Sequence, residues 1–224
     1  MPFQTIPHWI QYSAFMLAAN AGMINAFGLI SFLHQSVSHM TGNVSLFAIQ
    51  LHQQHYSAAL FLIVILLCYI LGAGVSGMIL SNSNFQLGRR YGIPLTLVTL
   101  LIVLTWLLTP YFDHYALLFA CTAMGVQNAM VSHYRGAIIR TTHLSGVLTD
   151  LGLALGYTLR GLDADAQKVI LHLLILFGFI IGSVIAAFSY PYLQLHTLLI
   201  PAGLSAVLSL LYWLLYFRHL HLQK

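Results

Sequence analysis

Six long apolar runs constrain the fold of this chain more than any other feature. A helix needs about 20 mainly apolar residues to cross a bilayer core, and each run has that length or nearly so. Only 5% of the residues are charged, against roughly a quarter in soluble domains. The sequence therefore predicts an all-α polytopic membrane protein with six transmembrane helices, at about 11 to 33, 57 to 81, 93 to 109, 115 to 131, 169 to 189 and 198 to 217.

The basic residues all fall on one side of this arrangement. With a cytoplasmic N-terminus, all 8 Lys and Arg residues lie in cytoplasmic loops or in the C-terminal tail. Because positive loops stay inside, both termini are predicted to be cytoplasmic. The basic residues are scattered and form no stripe for nucleic acid, so the bilayer is the expected partner. No small-residue cleavage site follows the first apolar run, which is therefore expected to remain as a helix.

The sequence also repeats itself at a shift of 103 to 107 residues. Residues 22–26 (Gly-Met-Ile-Asn-Ala) align with 125–129, and residues 39–42 (His-Met-Thr-Gly) align with 143–146. Such an ordered series of matches indicates an internal repeat. Three crossings per repeat is an odd number, so the two halves must have opposite orientations. The prediction is one membrane domain, 1–224, built as a 3+3 inverted-topology repeat with halves at about 9–109 and 113–217.

Each half contains a short segment after a polar stretch, at about 42–53 and 146–159. Both are predicted to be short broken or re-entrant helices, with Thr41 or Ser145 as the N-terminal cap. If they are re-entrant, they approach from opposite sides, and their positive N-terminal ends suit an anionic or strongly polar ligand. The alternative is that each lies flat at one membrane surface.

Polar side chains around these segments are the candidate substrate-binding residues. Asn25 and Asn128 occupy equivalent places in apolar helices, where an unsatisfied amide is costly. His39 and His143 are also equivalent, and imidazole titrates near neutrality. The alternative is that these groups only join helices by hydrogen bonds. The predicted set is Asn25, His39, Thr41, Gly42, Asn43, Gln127, Asn128, Thr142, His143, Ser145 and Gly146.

Three charged residues are candidates for coupling or gating. Asp150 is the one carboxylate predicted near the membrane interior, so it is the candidate proton or cation site. Arg135 and Arg140 are placed to attract an anionic substrate at the cytoplasmic mouth. The alternatives are that Asp150 is favoured by the helix dipole and paired with Arg140, and that topology alone explains the arginines.

The motifs of common enzymes and metal sites are missing from the sequence. It has no HExxH, no phosphate loop and no nucleophile with a base at a recognisable spacing, so we expect no enzyme, cofactor or metal site. Three functions remain. The first is a small secondary transporter that moves a small polar or anionic metabolite by alternating access. The others are a small channel and a non-transporting scaffold or sensor. The sequence is also compatible with a homo-oligomer.

Two groups of residues resemble a known family. Asn25-Ala26 followed by Met-Thr-Gly-Asn at 40–43, and Gln-Asn-Ala at 127–129 followed by residues 141–146, resemble the YoaK family of bacterial inner-membrane proteins. The resemblance covers nearly the full length and implies a six-helix protein of the bacterial inner membrane. That family has no assigned function, so the resemblance implies a fold and not an activity. Its members commonly carry Asp where this chain has Asn25, so ion coupling through that position does not carry over.

Overall fold

A computed structural model describes residues 6–31, 34–80, 89–132 and 140–222 of the chain. These residues contain eight α-helices, one short 3-10 helix and no strand. In chain order the α-helices are α1 (His8–Ile30), α2 (Met40–His52), α3 (Tyr56–Ile79), α4 (Arg89–Leu108), α5 (Asp113–Ser132), α6 (Leu144–Leu159), α7 (Ala166–Leu193) and α8 (Leu199–Leu222). The 3-10 helix, Gln194–Leu198, joins α7 to α8.

Five helical stretches of the described chain are long and apolar enough to cross a membrane. Four of them belong to α1, α3, α4 and α5, and the fifth, Ala166–Arg218, includes α7 and most of α8. The prediction of an all-helical, multi-pass membrane architecture is confirmed at this level. The two short predicted segments are helices of 13 and 16 residues, α2 and α6, and neither is long enough to span a bilayer.

The outward faces of the long helices are as apolar as the core. Leu67 and Ile70 of α3 and Phe188 of α7 are all more than half exposed. An exposed apolar surface of this extent is unfavourable in water, whereas lipid solvates it. Ile24, Phe27 and Leu117 are among the residues buried between the helices, where they form the core. The exposed apolar faces point away from this core.

Glycines allow α1 and α7 to pack at backbone distance. A Cβ atom on Gly22 would lie 3.0 Å from the carbonyl carbon of Phe179, and one on Gly182 would lie 2.7 Å from the carbonyl carbon of Ala19. Both distances are shorter than ordinary van der Waals contact. Small residues at such crossings let membrane helices approach closely, so α1 and α7 form one tightly packed pair.

The same packing joins α3 to α5. A Cβ atom on Gly72 would lie 2.9 Å from the carbonyl carbon of Thr122, and one on Gly125 would lie 3.0 Å from that of Tyr69. In the predicted repeat, α5 is equivalent to α1 and α3 to α7. The two closest helix pairs are therefore equivalent to each other, and each joins one helix from the first half of the chain to one from the second half.

The remaining helices extend these pairs in a matching way. The short helix α6 packs on α7, and α2 packs on α3. Two helix groups result: the first group is α1, α6 and α7, and the second group is α5, α2 and α3. In addition, α8 packs on α1, α4 packs on α5, and α4 and α8 pack on each other. The two halves of the sequence are thus interlocked and do not form separate bodies.

Candidate functional site

The two short helices begin in the same way. Their N-cap residues are His39 and His143, with φ and ψ of −91° and 70° and of −95° and 64°. Neither side chain caps its helix with a hydrogen bond. The prediction that Thr41 or Ser145 is the cap is wrong, because both lie inside the first helical turn. The local conformation is nevertheless shared between the two predicted repeats.

A glycine three residues after each N-cap histidine leaves room for the imidazole ring, because glycine has no side chain. A Cβ atom on Gly42 would lie 2.5 Å from Cδ2 of His39, and one on Gly146 would lie 2.8 Å from Cδ2 of His143. Each imidazole therefore lies over the first turn of its own helix. Gly42 and Gly146, two of the predicted site residues, lie beneath these rings and support them.

Asn25 fastens the segment that leads into α2. Its Oδ1 atom accepts hydrogen bonds from Oγ of Ser36 at 2.8 Å and from the N–H and Oγ of Ser38, both at 3.1 Å. Asn25 belongs to the first helix group and α2 to the second. This amide therefore connects the two groups at the start of a short helix.

Asn128 fastens the segment that leads into α6. Its Nδ2 atom donates to the hydroxyls of Tyr69, at 2.6 Å, and Thr142, and its Oδ1 atom accepts from the hydroxyl of Thr141 at 3.2 Å. Asn128 belongs to the second helix group and α6 to the first. The two equivalent asparagines thus play equivalent parts in connecting the groups.

A cavity of about 500 Å³ lies between the first turns of α2 and α6. Tyr69 and Phe179 line it from near the middle of α3 and α7, so the cavity is at mid-depth along those helices. Among the predicted site residues that the structure describes, eight line it: Asn25, His39, Thr41, Asn128, Arg140, Thr142, His143 and Ser145. The two turns are therefore brought together around one space.

The described lining also includes six residues that the sequence did not predict: Ser38, Met40, Tyr69, Ser132, Leu144 and Phe179. Ser38 is equivalent to Thr142 in the repeat, so the repeat contained the signal for it. Tyr69 and Phe179 are aromatic residues inside apolar runs, where nothing in the sequence separates a cavity wall from a lipid contact.

Two predicted site residues are buried in the protein and do not line the cavity. Gln127 donates from Nε2 to the carbonyl oxygen of Leu17 at 2.9 Å and accepts at Oε1 from Nδ2 of Asn20, also at 2.9 Å. Asn43 donates from Nδ2 to the carbonyl oxygen of Ser36 at 3.0 Å. Gln127 therefore joins α5 to α1, and Asn43 fixes the turn before α2.

Of the three charged candidates, Arg140 lines the cavity and Asp150 does not. Asp150 forms an ion pair with Nζ of Lys168 at 3.2 Å, and Nε2 of the buried His172 lies 3.6 Å from the same carboxylate oxygen. The alternative pairing of Asp150 with Arg140 is replaced by this contact between α6 and α7. The third candidate, Arg135, lies outside the described residues.

The cavity contains no acidic side chain. The chain has four acidic residues, and the structure describes all of them. Asp150 is paired with α7, and Asp165 accepts the N–H groups of Gln167 and Lys168 at the start of α7. Asp163 is exposed in the segment before α7, and Asp113 is the first residue of α5. None of them lines the cavity.

A second cavity, of about 620 Å³, lies where α4 ends and α5 begins. Its lining includes Tyr111, Asp113, His114 and Tyr190. None of the predicted site residues that the structure describes lies there.

One family model matches a range of the sequence that contains all the described residues lining the cavity. A model described as "Protein of unknown function (DUF1275)" matches residues 13–211. The chain belongs to the DUF1275 family. Comparisons with curated proteins and with solved structures gave no match. Membership of DUF1275 confirms the resemblance to a family without an assigned function, and the YoaK name stays a prediction.

Proposed function

We propose that this protein is a small secondary transporter of the bacterial inner membrane, which moves a small polar or anionic solute by alternating access. The observation that carries the proposal is that the first turns of α2 and α6 line one cavity at mid-depth of α3 and α7. Secondary transporters typically place their substrate site there, between interrupted helices of two repeats. Non-helical backbone is tolerated at that depth where it lines a cavity.

Six crossings are proposed, by α1, α3, α4, α5, α7 and α8. The stretch of 53 residues from Ala166 to Arg218 is more than twice the length that one crossing needs, so it supplies two. Between α7 and α8, Gln194 has a φ of 46°, in the left-handed region that interrupts a regular helix. An even number of crossings places both termini on the same side, which the basic loops make cytoplasmic. Six crossings also fit the 3+3 inverted repeat, with α2 and α6 as re-entrant helices.

The proposed moving parts are the two helix groups and not the two halves of the sequence. Rocking whole halves would pull α1 from α7 and α3 from α5, where backbones are in contact through Gly182 and Gly72. The cavity lies between the groups, with Asn25 and Phe179 on one side and Tyr69 and Asn128 on the other. Movement of one group against the other opens this space while it leaves the glycine contacts intact.

The hydrogen bonds of Asn25 and Asn128 are the contacts that this movement is proposed to break and re-form. Each crosses from one helix group to the segment before a short helix of the other group. Opening on one side would break the bonds at that side and preserve those at the other. Equivalent amides in the two groups give the two end states similar numbers of hydrogen bonds.

Cysteine labelling tests this proposal without a known substrate. Thr41→Cys and Ser145→Cys are made separately in a Cys68→Ala, Cys121→Ala background. A charged, membrane-impermeant methanethiosulfonate reagent is then added to intact cells and to inside-out vesicles. Alternating access predicts that each cysteine reacts from both membrane sides, because both residues line the same cavity.

The control is Gly74→Cys, since a Cβ atom at Gly74 has no described atom within 4 Å and would point into lipid. It should react from neither side. Reaction of residue 41 from one side only and of residue 145 from the opposite side only would contradict alternating access. Steady conductance in planar bilayers that the same labelling blocks would favour a channel, and no labelling from either side would favour a scaffold.

A further inference from the structure

The charge of the central cavity is one-sided. Arg140 lines the cavity and is an exposed residue, whereas none of the four acidic residues lies there. A cation at mid-depth would leave water without gaining a counter-charge, which costs several kcal/mol. An anion would gain the guanidinium, which binds carboxylates through two parallel N–H donors.

Hydrogen-bond donors also point to a negatively charged ligand. Oδ1 of Asn25 is occupied by Ser36 and Ser38, and its Nδ2 atom has no acceptor among the described residues. Asn25 lines the cavity, so it offers that space a donor. This amide lies on α1, so it is a donor separate from the N–H groups of the two short helices.

The ends of α2 and α6 act in the same direction. The carbonyl of His39 accepts from Gly42 and Asn43, and that of His143 accepts from Gly146 and Val147. The earlier N–H groups of each helix, at residues 40, 41, 144 and 145, have no acceptor within the described chain. Such N–H groups carry partial positive charge and bind carboxylates and phosphates.

The size and walls of the cavity indicate an organic ligand. A volume of about 500 Å³ lies within the range of small-molecule sites, about 300–1,000 Å³. Met40, Tyr69, Leu144 and Phe179 supply apolar and aromatic surface. A ligand with a charged group and a carbon skeleton matches both parts of this lining.

Resting on the proposed transport function, we infer that the substrate is a small organic acid whose carboxylate binds Arg140, the Asn25 amide and the N–H groups that begin α2 and α6. The apolar part of the acid lies against Tyr69 and Phe179. Arg140 has Ser36 as its approximate counterpart in the repeat, so within the described lining the arginine charge lies on one side of the pseudo-symmetric site.

Thermal unfolding of the purified full-length protein tests this inference. The probes are the sodium salts of acetate, succinate and benzoate, compared with sulfate, phosphate, glycine, glucose and choline chloride at constant ionic strength. At least one of the three carboxylates should raise Tm in a saturable manner, because a ligand stabilises the state that it binds. Arg140→Gln should raise the concentration for half-maximal shift by about tenfold or more, since a hydrogen bond to a charged group is lost.

Arg160→Gln is the matched control. Arg160 follows the C-terminal end of α6 and does not line the cavity, so this variant should keep the half-maximal concentration of the native protein. Arg140→Lys retains the charge and should keep part of the binding, which covers the case that Arg140→Gln does not fold.

Four results would overturn the inference. These are no shift with any of the three carboxylates, a shift with sulfate or phosphate alone, a shift with glycine, glucose or choline alone, and equal effects of Arg140→Gln and Arg160→Gln. The two-sided labelling above uses no ligand. It can therefore succeed while the organic acid fails, or fail while the organic acid binds, so the two proposals are separable.

Discussion

Replacing Gly182 with alanine is expected to force α7 away from α1. The new Cβ atom would lie 2.7 Å from the carbonyl carbon and 2.8 Å from the Cα atom of Ala19. Both are backbone atoms, so no side-chain rotation relieves the contact. Relieving the contact with the carbonyl carbon alone takes 0.7 Å, the difference between 2.7 Å and the 3.4 Å at which ordinary contact begins, and the still nearer carbonyl oxygen of Ala19 requires a larger separation.

The magnitude follows from two opposing effects. Overpacking a well-packed interface costs about 1–3 kcal/mol, and alanine gains about 1 kcal/mol over glycine within a helix. Because the clash is with backbone, the upper part of the overpacking range applies, and the net loss should be about 2 kcal/mol. For a chain of this size that corresponds to a fall in Tm of roughly 4–8 °C.

Gly74→Ala is the control, because it makes the same chemical change where a Cβ atom has no described atom within 4 Å. Its Tm should equal or exceed that of the native protein. The assay is thermal unfolding of both purified variants in the same detergent, followed by tryptophan fluorescence. Equal Tm values for the two variants would refute backbone contact between α1 and α7, and with it the assignment of these helices to one rigid group.

Two further substitutions test the edges of the site. Asp150→Asn removes the carboxylate that pairs with Lys168 of α7 and should lower Tm by no more than about 4 °C, since a partly exposed ion pair contributes about 0.2–1 kcal/mol, whereas the exposed Asp163→Asn should leave Tm unchanged; equal Tm values for the two variants would show that this pair does not hold α6 to α7. Gly42→Ala displaces the ring of His39, so the rate at which Thr41→Cys is labelled should change at least severalfold. Gly152→Ala, where a Cβ atom has no described atom within 4 Å, should leave that rate unchanged. A rate in Gly42→Ala equal to that of its control would show that the ring does not border the cavity.

The lengths of the apolar runs predicted the long helices, because a helix that crosses lipid needs about 20 mainly apolar residues in succession, and such runs are visible in the sequence. They did not predict that α1 packs on α7, since an apolar surface specifies no partner. Gly72 and Gly182 are visible as small residues in the sequence, but a small residue does not reveal which backbone it meets. The interlocked halves therefore appeared only in three dimensions.

The repeat located the two turns of the site, because equivalent polar residues at equivalent places indicate a shared requirement. It did not separate residues that line the cavity from residues that support it. Gly146 repeats Gly42 because each lies beneath a histidine ring, and Gln127 is polar because it joins two helices. The position of Tyr69 in the cavity lining could not be predicted, because aromatic residues are common in apolar runs.

The central claim, that the starts of α2 and α6 face one another across a single cavity, is tested most directly by bridging them. Thr41→Cys and Ser145→Cys are combined in one chain without its native cysteines, treated with a short bifunctional methanethiosulfonate, and measured as an intact mass. We predict one linker attached at both thiols, and no bridge when Gly74→Cys replaces Ser145→Cys. Two separate linkers on the 41 and 145 pair would place the turns at opposite membrane surfaces and contradict the account.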